Sequence, residues 1–592
     1  KASNSTATIN STSVNNFGDI VITKKVTIRA KDETGAVIDA NKKDGGKTAH
    51  RIFKADGTGA ELTLQNIKLQ GGIAEGASES GYGGALYVKG GAALVLDKCV
   101  VTDNSAAAGG GIYLSATSKL KNGSSRIVPS ADKAAGKNDV YLAKDTYIEL
   151  TDISGSGVIA QISPELRLSG TKIAEYTGIT SAPSNIASRF AVTSTADGIW
   201  ILKYNVSSKE FNLHQTAVYG DGNDIAWAQL RAAAANSATG DVITAKGIIK
   251  ASNTQLHGTT ENNYGEITVT NKITVKGEAG AVIDANKDGL GGAAHRIFNI
   301  SESGAELNLQ SINLKNGKST SSGGAISVSG GAKLNLSAGV SITDCSAAFG
   351  GAVYASGSGT KVVIDGAHLK ADTASDEGSA IHLSDSAFAE VKGEAIIHGN
   401  HVAGGTSPSP SSVYLKGGAR FTLGGKAKIS NESGKNGSGV FINGAEFTMS
   451  GNAEISGNST TSSGGGVHIE GTGGKFNMTG GTVSGNTAVS GGGVYIASGC
   501  EFNMSGGIVK DNKAVHTSST QCKGGGVFLS GKFNMSGGII SGNEAKKSDT
   551  EYGDGGGVYT ESIGAELKMS GGARIVPSAD KKSGKNDVYI NA

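Results

Sequence analysis

The residues most able to do chemistry in this 592-residue chain are few and scattered. His382, Tyr414, Lys416, Arg420 and His468 fall at or near one recurring position, beside an insertion that holds Pro408 and Pro410. Acidic or basic side chains projecting from such a position would suit attack on an acidic polysaccharide. No pair of carboxylates stands at neighbouring positions, however, as acid–base hydrolysis of a glycosidic bond requires. Asp284-Ala-Asn-Lys-Asp288-Gly289 opens like a calcium loop, yet the twelfth position is His295 where a bidentate carboxylate belongs. An earlier copy of the segment (Asp39, Asn41, Asp44) carries an insertion, and a turn is the expectation. P-loop, H-E-x-x-H and G-x-S-x-G patterns do not occur. Cys99, Cys345, Cys500 and Cys522 show neither metal-ligand spacing nor C-x-x-C. The sequence thus leads to a non-catalytic protein without metal or cofactor.

The elements that must carry these residues follow from composition and period. Glycine occurs 92 times against 6 Pro and 2 Trp, with no G-X-Y repeat, and the aliphatic residues between glycines alternate as strands do. The formal charge is only +2, and no basic run is interleaved with aromatics, so nucleic acid is not an expected partner. No apolar run reaches the ~18 residues of a membrane helix. The chain begins at Lys1 without an apolar leader, which points to a removed signal or upstream segment.

A small-residue turn followed by V/I-x-aliphatic recurs through the second half: GGAISV (323–328), GGGVHI (464–469), GGGVYI (491–496), GGGVFL (524–529), GGGVYT (555–560). From Ile326 to Val588 the steps are 27 to 33 residues. Two further columns align within each step. One is F-x-M/L at Phe421, Phe447, Phe476, Phe502 and Phe533, with Leu567 taking the place in the last coil, and the column gathers all 5 methionines. The other is a V/I-x-x-N turn ending at Asn486, Asn512 and Asn543. Three short strands per step, each stacked on its counterpart about 4.8 Å away, make a right-handed parallel β-helix. The Asn column reads as a structural ladder, because an amide both donates and accepts and tolerates left-handed backbone. Cys345 takes the same slot and reads as a buried structural thiol.

A larger duplication lies over the coil period. AVIDAN (36–41), HRIF (50–53) and GAEL (59–62) recur 245 residues later, and RIVPSADKAAGKNDVYL (126–142) returns as RIVPSADKKSGKNDVYI (574–590). His50 and His295 precede R-I-F in both copies, which marks them as opening-coil architecture. The expected fold is all-β: a first β-helix array over 1–142, a small β-rich spacer over 143–222 with Pro164, Pro183 and Trp200, and a second array over 223–592. A helix over 224–236, with Asn223 as N-cap and Trp227, Leu230, Arg231 and Ala234 on one face, would cap the second array. Lys1 corresponds to Lys250, past that helix, so the first array is expected to lack its own cap.

Period two sets which side chains leave the coil. If Val494 and Ile496 point inward, the residue between them points out. That column reads Tyr354, His382, Tyr414, Phe441, His468, Tyr495, Phe528 and Tyr559, after Tyr87, Tyr113 and Tyr141 in the first copy. The expectation is an exposed aromatic stripe whose rings stack between adjacent strands, with a recognition surface able to bind a partner as the functional alternative. The next strand presents a polar column: Thr422, Thr448, Asn477, Asn503, Asn534 and Lys568.

Segments such as DNSAAAGGGIYL (103–114), DCSAAFGGAVYA (344–355) and GNTAVSGGGVYI (485–496) resemble the repeats of polymorphic outer-membrane proteins and related bacterial β-helix surface proteins. The resemblance covers the coils, not 143–222, and no translocator-barrel segment accompanies it. It implies a bacterial outer-membrane, cell-surface or secreted protein with an adhesin-like role. Its partner would be a glycan or protein on a host or matrix surface, or a neighbouring copy. A β-helix polysaccharide lyase or glycoside hydrolase is the alternative, and a structural envelope component a third.

Overall fold

The computed structural model describes residues 6–591 apart from 10–11, 16–17, 42–48, 132–133, 154–156, 177–185, 194, 257–260, 403–410, 431–437, 517–521, 548–550, 562–563 and 580–581. Asp44, Pro183, Pro408 and Pro410 lie outside the described residues. Strand accounts for 49% of the chain and helix for 4%, arranged as a parallel β-solenoid of about 18 turns. Two units divide it: Lys1–Val218 with Leu256–Thr260, and Tyr219–Gln255 with Glu261–Ala592.

One coil of the second unit shows why this sequence winds. Gly491 takes a left-handed φ of 63°, and a Cβ on Gly492 would sit 2.4 Å from the Lys513 carbonyl oxygen, so the turn into the front strand accepts only glycine. Val494–Ile496 buries its two β-branched residues, and Glu501–Met504 buries Phe502 and Met504. Ile508–Lys510 then buries Val509, and the chain turns at Asn512. Each strand pairs in register with its counterparts in the coils before and after: Val494 with Val467 and Val527, Phe502 with Phe476 and Phe533, Val509 with Val483 and Ile540. Among the described residues the front sheet, which contains Val494–Ile496, and the rear sheet, which contains Ile508–Lys510, each hold 12 strands, so the core is a continuous stack of like on like. The structure adds a fourth segment to the three expected per coil. Ser346–Phe349, Thr373–Glu377 and His401–Val402 pair in parallel, as do Thr487–Ala488, Lys513–Val515 and Glu544–Lys546.

In the first unit the same coils run from Ile20–Ile22 to Phe190–Val192 along a 7-stranded front sheet. Pairing does not stop where the closing motif was expected to end it. Val140 lies opposite Ile162, Leu142 opposite Pro164, and Leu120 opposite Ile148, so the segment after 142 goes on stacking. The pattern changes later, at the antiparallel hairpin of Gly198–Asn205 with Glu210–Tyr219. The helix is shorter than expected, Ala226–Ala235. The Asn223 Oδ1 accepts the Ile225 N–H at 3.2 Å, a turn just upstream, and the residue at the N-cap position, Ile225, has no side chain that could cap the helix.

The turn ladder ties coil to coil. Asn458 Nδ2 donates to Asn486 Oδ1 (2.8 Å), Asn486 to Asn512 (3.0 Å), Asn512 to Asn543 (3.0 Å) and Asn543 to Asn586 (2.9 Å). Each Oδ1 also accepts the backbone N–H of the asparagine before it, and each Nδ2 reaches a carbonyl of the preceding coil, as Asn512 does to Val483 (2.9 Å). These amides are fully buried. Asn503, in the polar column of the second strand, is only half-buried, though it also bonds its neighbours Asn477 and Asn534. Asn512→Ala orphans several buried partners at once and should cost about 1–3 kcal/mol, whereas Asn503→Ala leaves groups that water can reach and should cost less than about 1 kcal/mol. Equal shifts in denaturant midpoint for the two variants would contradict the ladder.

Candidate functional site

The front-sheet column is an unbroken ring stack. From Tyr354 through His382, Tyr414, Phe441, His468, Tyr495, Phe528 and Tyr559 to Tyr589, consecutive ring centroids are 4.5 to 5.4 Å apart. Its exposure differs from the sequence expectation. His382 is 1% exposed, His468 8%, and Tyr414, Phe441, Phe528 and Tyr559 fall between them, while Tyr354 and Tyr495 are half-buried. The cause is geometric: rungs about 4.8 Å apart cover both faces of each ring inside the stack with its neighbours, leaving only the edge to be closed. The segment leading into the glycine turn supplies part of that closure. The His468 ring donates from Nδ1 to the Ser463 carbonyl (2.8 Å), Phe349 meets His382 edge-on at 5.4 Å, and Lys523 lies over Tyr559 at 4.8 Å. The stripe is therefore a covered stack and not an open aromatic platform.

Around His382 the fold gathers several ionisable groups. The Lys416 Nζ pairs with the Glu377 Oε2 at 3.3 Å and lies over the Phe349 ring at 5.3 Å. Glu377 also stands 3.9 Å from His382 Nδ1, but burial, with Lys416 adding to it, pulls that imidazole down to about 3, so the ring is neutral and Lys416 is the true counter-ion. Neither ring nitrogen of His382 has a hydrogen-bond partner. Burial pushes the Tyr414 hydroxyl up to about 12, and Asn443 donates to that oxygen at 3.4 Å. Of the residues singled out in the sequence, His382, Tyr414 and Lys416 thus meet. Arg420 belongs to the neighbouring sheet, where it lies over Phe388, and His468 lies further along the stack. Glu377 was missed, because it ends the fourth segment, Thr373–Glu377, whose residues show no aliphatic alternation to mark a strand.

The Asp284 turn is closed by its own chain. Asp284 Oδ1 accepts the Asn286 N–H and the Asn316 amide, both at 2.8 Å, and Asp39 accepts the Asn41 N–H and the Gln70 amide in the same way. His50 and His295 also match, each with Nδ1 donating to the following arginine's carbonyl.

The ladder itself holds two further titratable groups. Cys345 is buried, its N–H donates to Asp372 Oδ1 (2.9 Å), and its Sγ accepts from Gly317 N–H (3.4 Å). Asp372 fills the next slot, where Asn400 Oδ1 accepts its N–H at 2.9 Å. It is fully buried, and its Oδ2 has no partner. By the ladder's pattern that atom occupies the place of a donating Nδ2 between carbonyl oxygens. Burial, only partly opposed by the hydrogen bond from the Cys345 N–H and by Lys287 and reinforced by Asp344, holds its carboxyl well above the usual range. A neutral acid, its proton on Oδ2, is the form that fits.

Comparison of the chain with protein-family models, with curated proteins and with solved structures gives no match.

The linkage at Asp372 has a definite sign. The folded state keeps a proton that the unfolded chain releases above about pH 3.9, so this contribution to stability is complete below that pH and is lost as pH rises towards the folded value. Asp372→Asn supplies the amide the ladder uses elsewhere and does not titrate. The variant should melt close to the parent near pH 3.5 and above it at pH 8, with the gap widening between. Parallel melting-temperature profiles for the two proteins would contradict a protonated Asp372.

Proposed function

We propose that this protein is a non-catalytic, exported or surface-displayed scaffold that engages a glycan, protein or neighbouring copy through its β-solenoid. The observation that carries this reading is the absorption of chemistry-bearing side chains into inter-coil ladders: His382 is neutral and sandwiched between Tyr354 and Tyr414, and Asp372 and Cys345 fill amide-ladder slots. Side chains used this way serve stiffness and register. The likeness of the coils to polymorphic outer-membrane protein repeats supports a bacterial surface or secreted location, and duplication of the opening and closing motifs supports two arrays.

In this reading the helix Ala226–Ala235 caps the second array. Trp227 is fully buried and donates from Nε1 to the Gly265 carbonyl (2.8 Å), and the Ala228 N–H is taken by Asn263 Oδ1 (2.9 Å). The helix thereby covers a first coil that would otherwise expose its core.

A polysaccharide-active enzyme is the second reading, favoured by the unpartnered His382 beside Glu377, Lys416 and Tyr414. A glycan array run with a polysaccharide-degradation screen on the purified chain separates the two. Binding without release of reducing or unsaturated ends is expected, and chain cleavage abolished by His382→Ala and Lys416→Ala would overturn the scaffold reading. Replacing Tyr414, Phe441, His468 and Tyr495 together by Ser should lower the melting temperature clearly, since each stacked pair contributes about 0.5–1.5 kcal/mol. Unchanged stability with lost binding would instead return the stripe to a recognition role.

A further inference from the structure

The sheet that holds Glu501–Met504 carries an outward column of charged residues at the first position of each rung. Over five rungs it alternates in sign, with Glu446, Lys475, Glu501, Lys532 and Glu566 each directly opposite the next. Alternation is what the pairing geometry favours, because like charges directly opposite on adjacent strands repel. Earlier in the same column the pattern breaks. Consecutive rungs carry Lys333, Lys361, Phe388 and Arg420, so that Lys333 stands directly opposite Lys361.

The fold supplies these three cations with no counter-ion. Glu306, opposite Lys333, is taken by Lys272 at 3.2 Å and by the Asn335 amide at 3.1 Å. Glu446, opposite Arg420, accepts the Asn477 amide at 2.8 Å. On the rung of Phe388, Glu390 pairs with Lys392 at 3.2 Å. Among the described residues Lys333, Lys361 and Arg420 form no ion pair. Lys361 and Arg420 instead lie over the Phe388 ring, at 5.5 and 5.6 Å, from the rungs on either side of it. Lys333 and Arg420 are exposed, and Lys361 and Phe388 are half-buried.

We propose that this stretch of the column binds a linear acidic polysaccharide lying along the solenoid axis, its anionic groups on Lys333, Lys361 and Arg420 and a sugar face against Phe388. The site names the ligand class for the glycan arm of the scaffold reading, on which it rests. Charge complementarity is the first support: the repulsion between Lys333 and Lys361 is a cost that the alternating rungs avoid, and an anion laid across both removes it. Spacing favours a sugar chain over an acidic peptide. Rungs repeat at about 4.8 Å, close to the length of one sugar in an extended chain, whereas same-face side chains of an extended peptide recur at roughly 6.8 Å. The ring between the cations adds an apolar surface of the kind that the face of a sugar ring covers.

Binding of the purified chain to immobilised polygalacturonate and heparin over a series of salt concentrations tests this. The parent should bind at least one of them, and should not bind fully methyl-esterified polygalacturonate, which keeps the sugar chain without its charge. Lys333→Gln/Lys361→Gln should weaken binding about tenfold or more at low salt and flatten its salt dependence, since each anion-paired cation releases a counterion. Lys475→Gln/Lys532→Gln removes the same charge from the alternating rungs and should leave affinity nearly unchanged. Lys361→Glu restores the alternation, so it should melt slightly above the parent and yet lose binding, which separates the site from damage to the fold. A parent that binds neither polymer overturns the proposal, as do equal losses in the two double variants, parent-like binding by Lys361→Glu, or equal binding of polyglutamate. Release of reducing or unsaturated ends from the bound polymer would contradict the non-catalytic reading and leave the cationic column as its docking site. Glycan binding that survives Lys333→Gln/Lys361→Gln would overturn the column and leave the scaffold reading in place.

Discussion

In-register stacking of like side chains between parallel strands is the constraint on which the rest of this structure depends. A rung spacing of about 4.8 Å is close to the thickness of an aromatic ring plus its contact, and close to the reach of one amide to the next. Once Val467, Val494 and Val527 fix the register of the front sheet, the residues between them stack as well: His468 on Tyr495 at 4.7 Å and Tyr495 on Phe528 at 4.9 Å. Phe447, Phe476, Phe502 and Phe533 form a second stack inside the core at 4.6 to 4.8 Å, and the turn asparagines form a third column. Each column stabilises the same register, so a slip of one residue would break all of them together.

This constraint also sets the surroundings of the residues with chemical potential. A histidine, a tyrosine, a cysteine and an aspartate stand at column positions, and their environments are set by the coils above and below. His382 stays neutral, the Tyr414 hydroxyl is held far from ionising, and the Cys345 thiol is pushed up by burial. A group held in its uncharged form by neighbours on both faces is tuned for packing. Glu377 and Lys416 are the exception, a charged pair that keeps access to solvent at the edge of the stack.

Much of the fold was legible because every inward position follows period two within a strand and a step near 27 residues between coils. The ladder was legible in part. Asn486, Asn512 and Asn543 follow V/I-x-x-N, and Asn400 and Asn458 carry the same signal after Ile397 and Ile455 but were passed over. Asn138 and Asn586 join the ladder from closing coils with a long insertion, where no local spacing marks them. Exposure of the stripe was not legible. Period two says that a side chain leaves the strand, but not whether a later part of the coil, such as Ser463 or Phe349, closes over it. The helix boundary failed for a similar reason, because Asn223 spends its side chain on an upstream turn and on the Tyr219 carbonyl and Gln229.

Native-state hydrogen exchange at the ladder amides tests the central claim most directly, because the Asn458, Asn486 and Asn512 N–H groups each donate to the side chain of the next coil and to nothing in their own. If register is carried by these columns, the three amides should exchange in the slowest class, together with those of Val494 and Val527, and only through opening of whole coils. Exchange at the rate of ordinary turns, while the flanking strands stay protected, would contradict it.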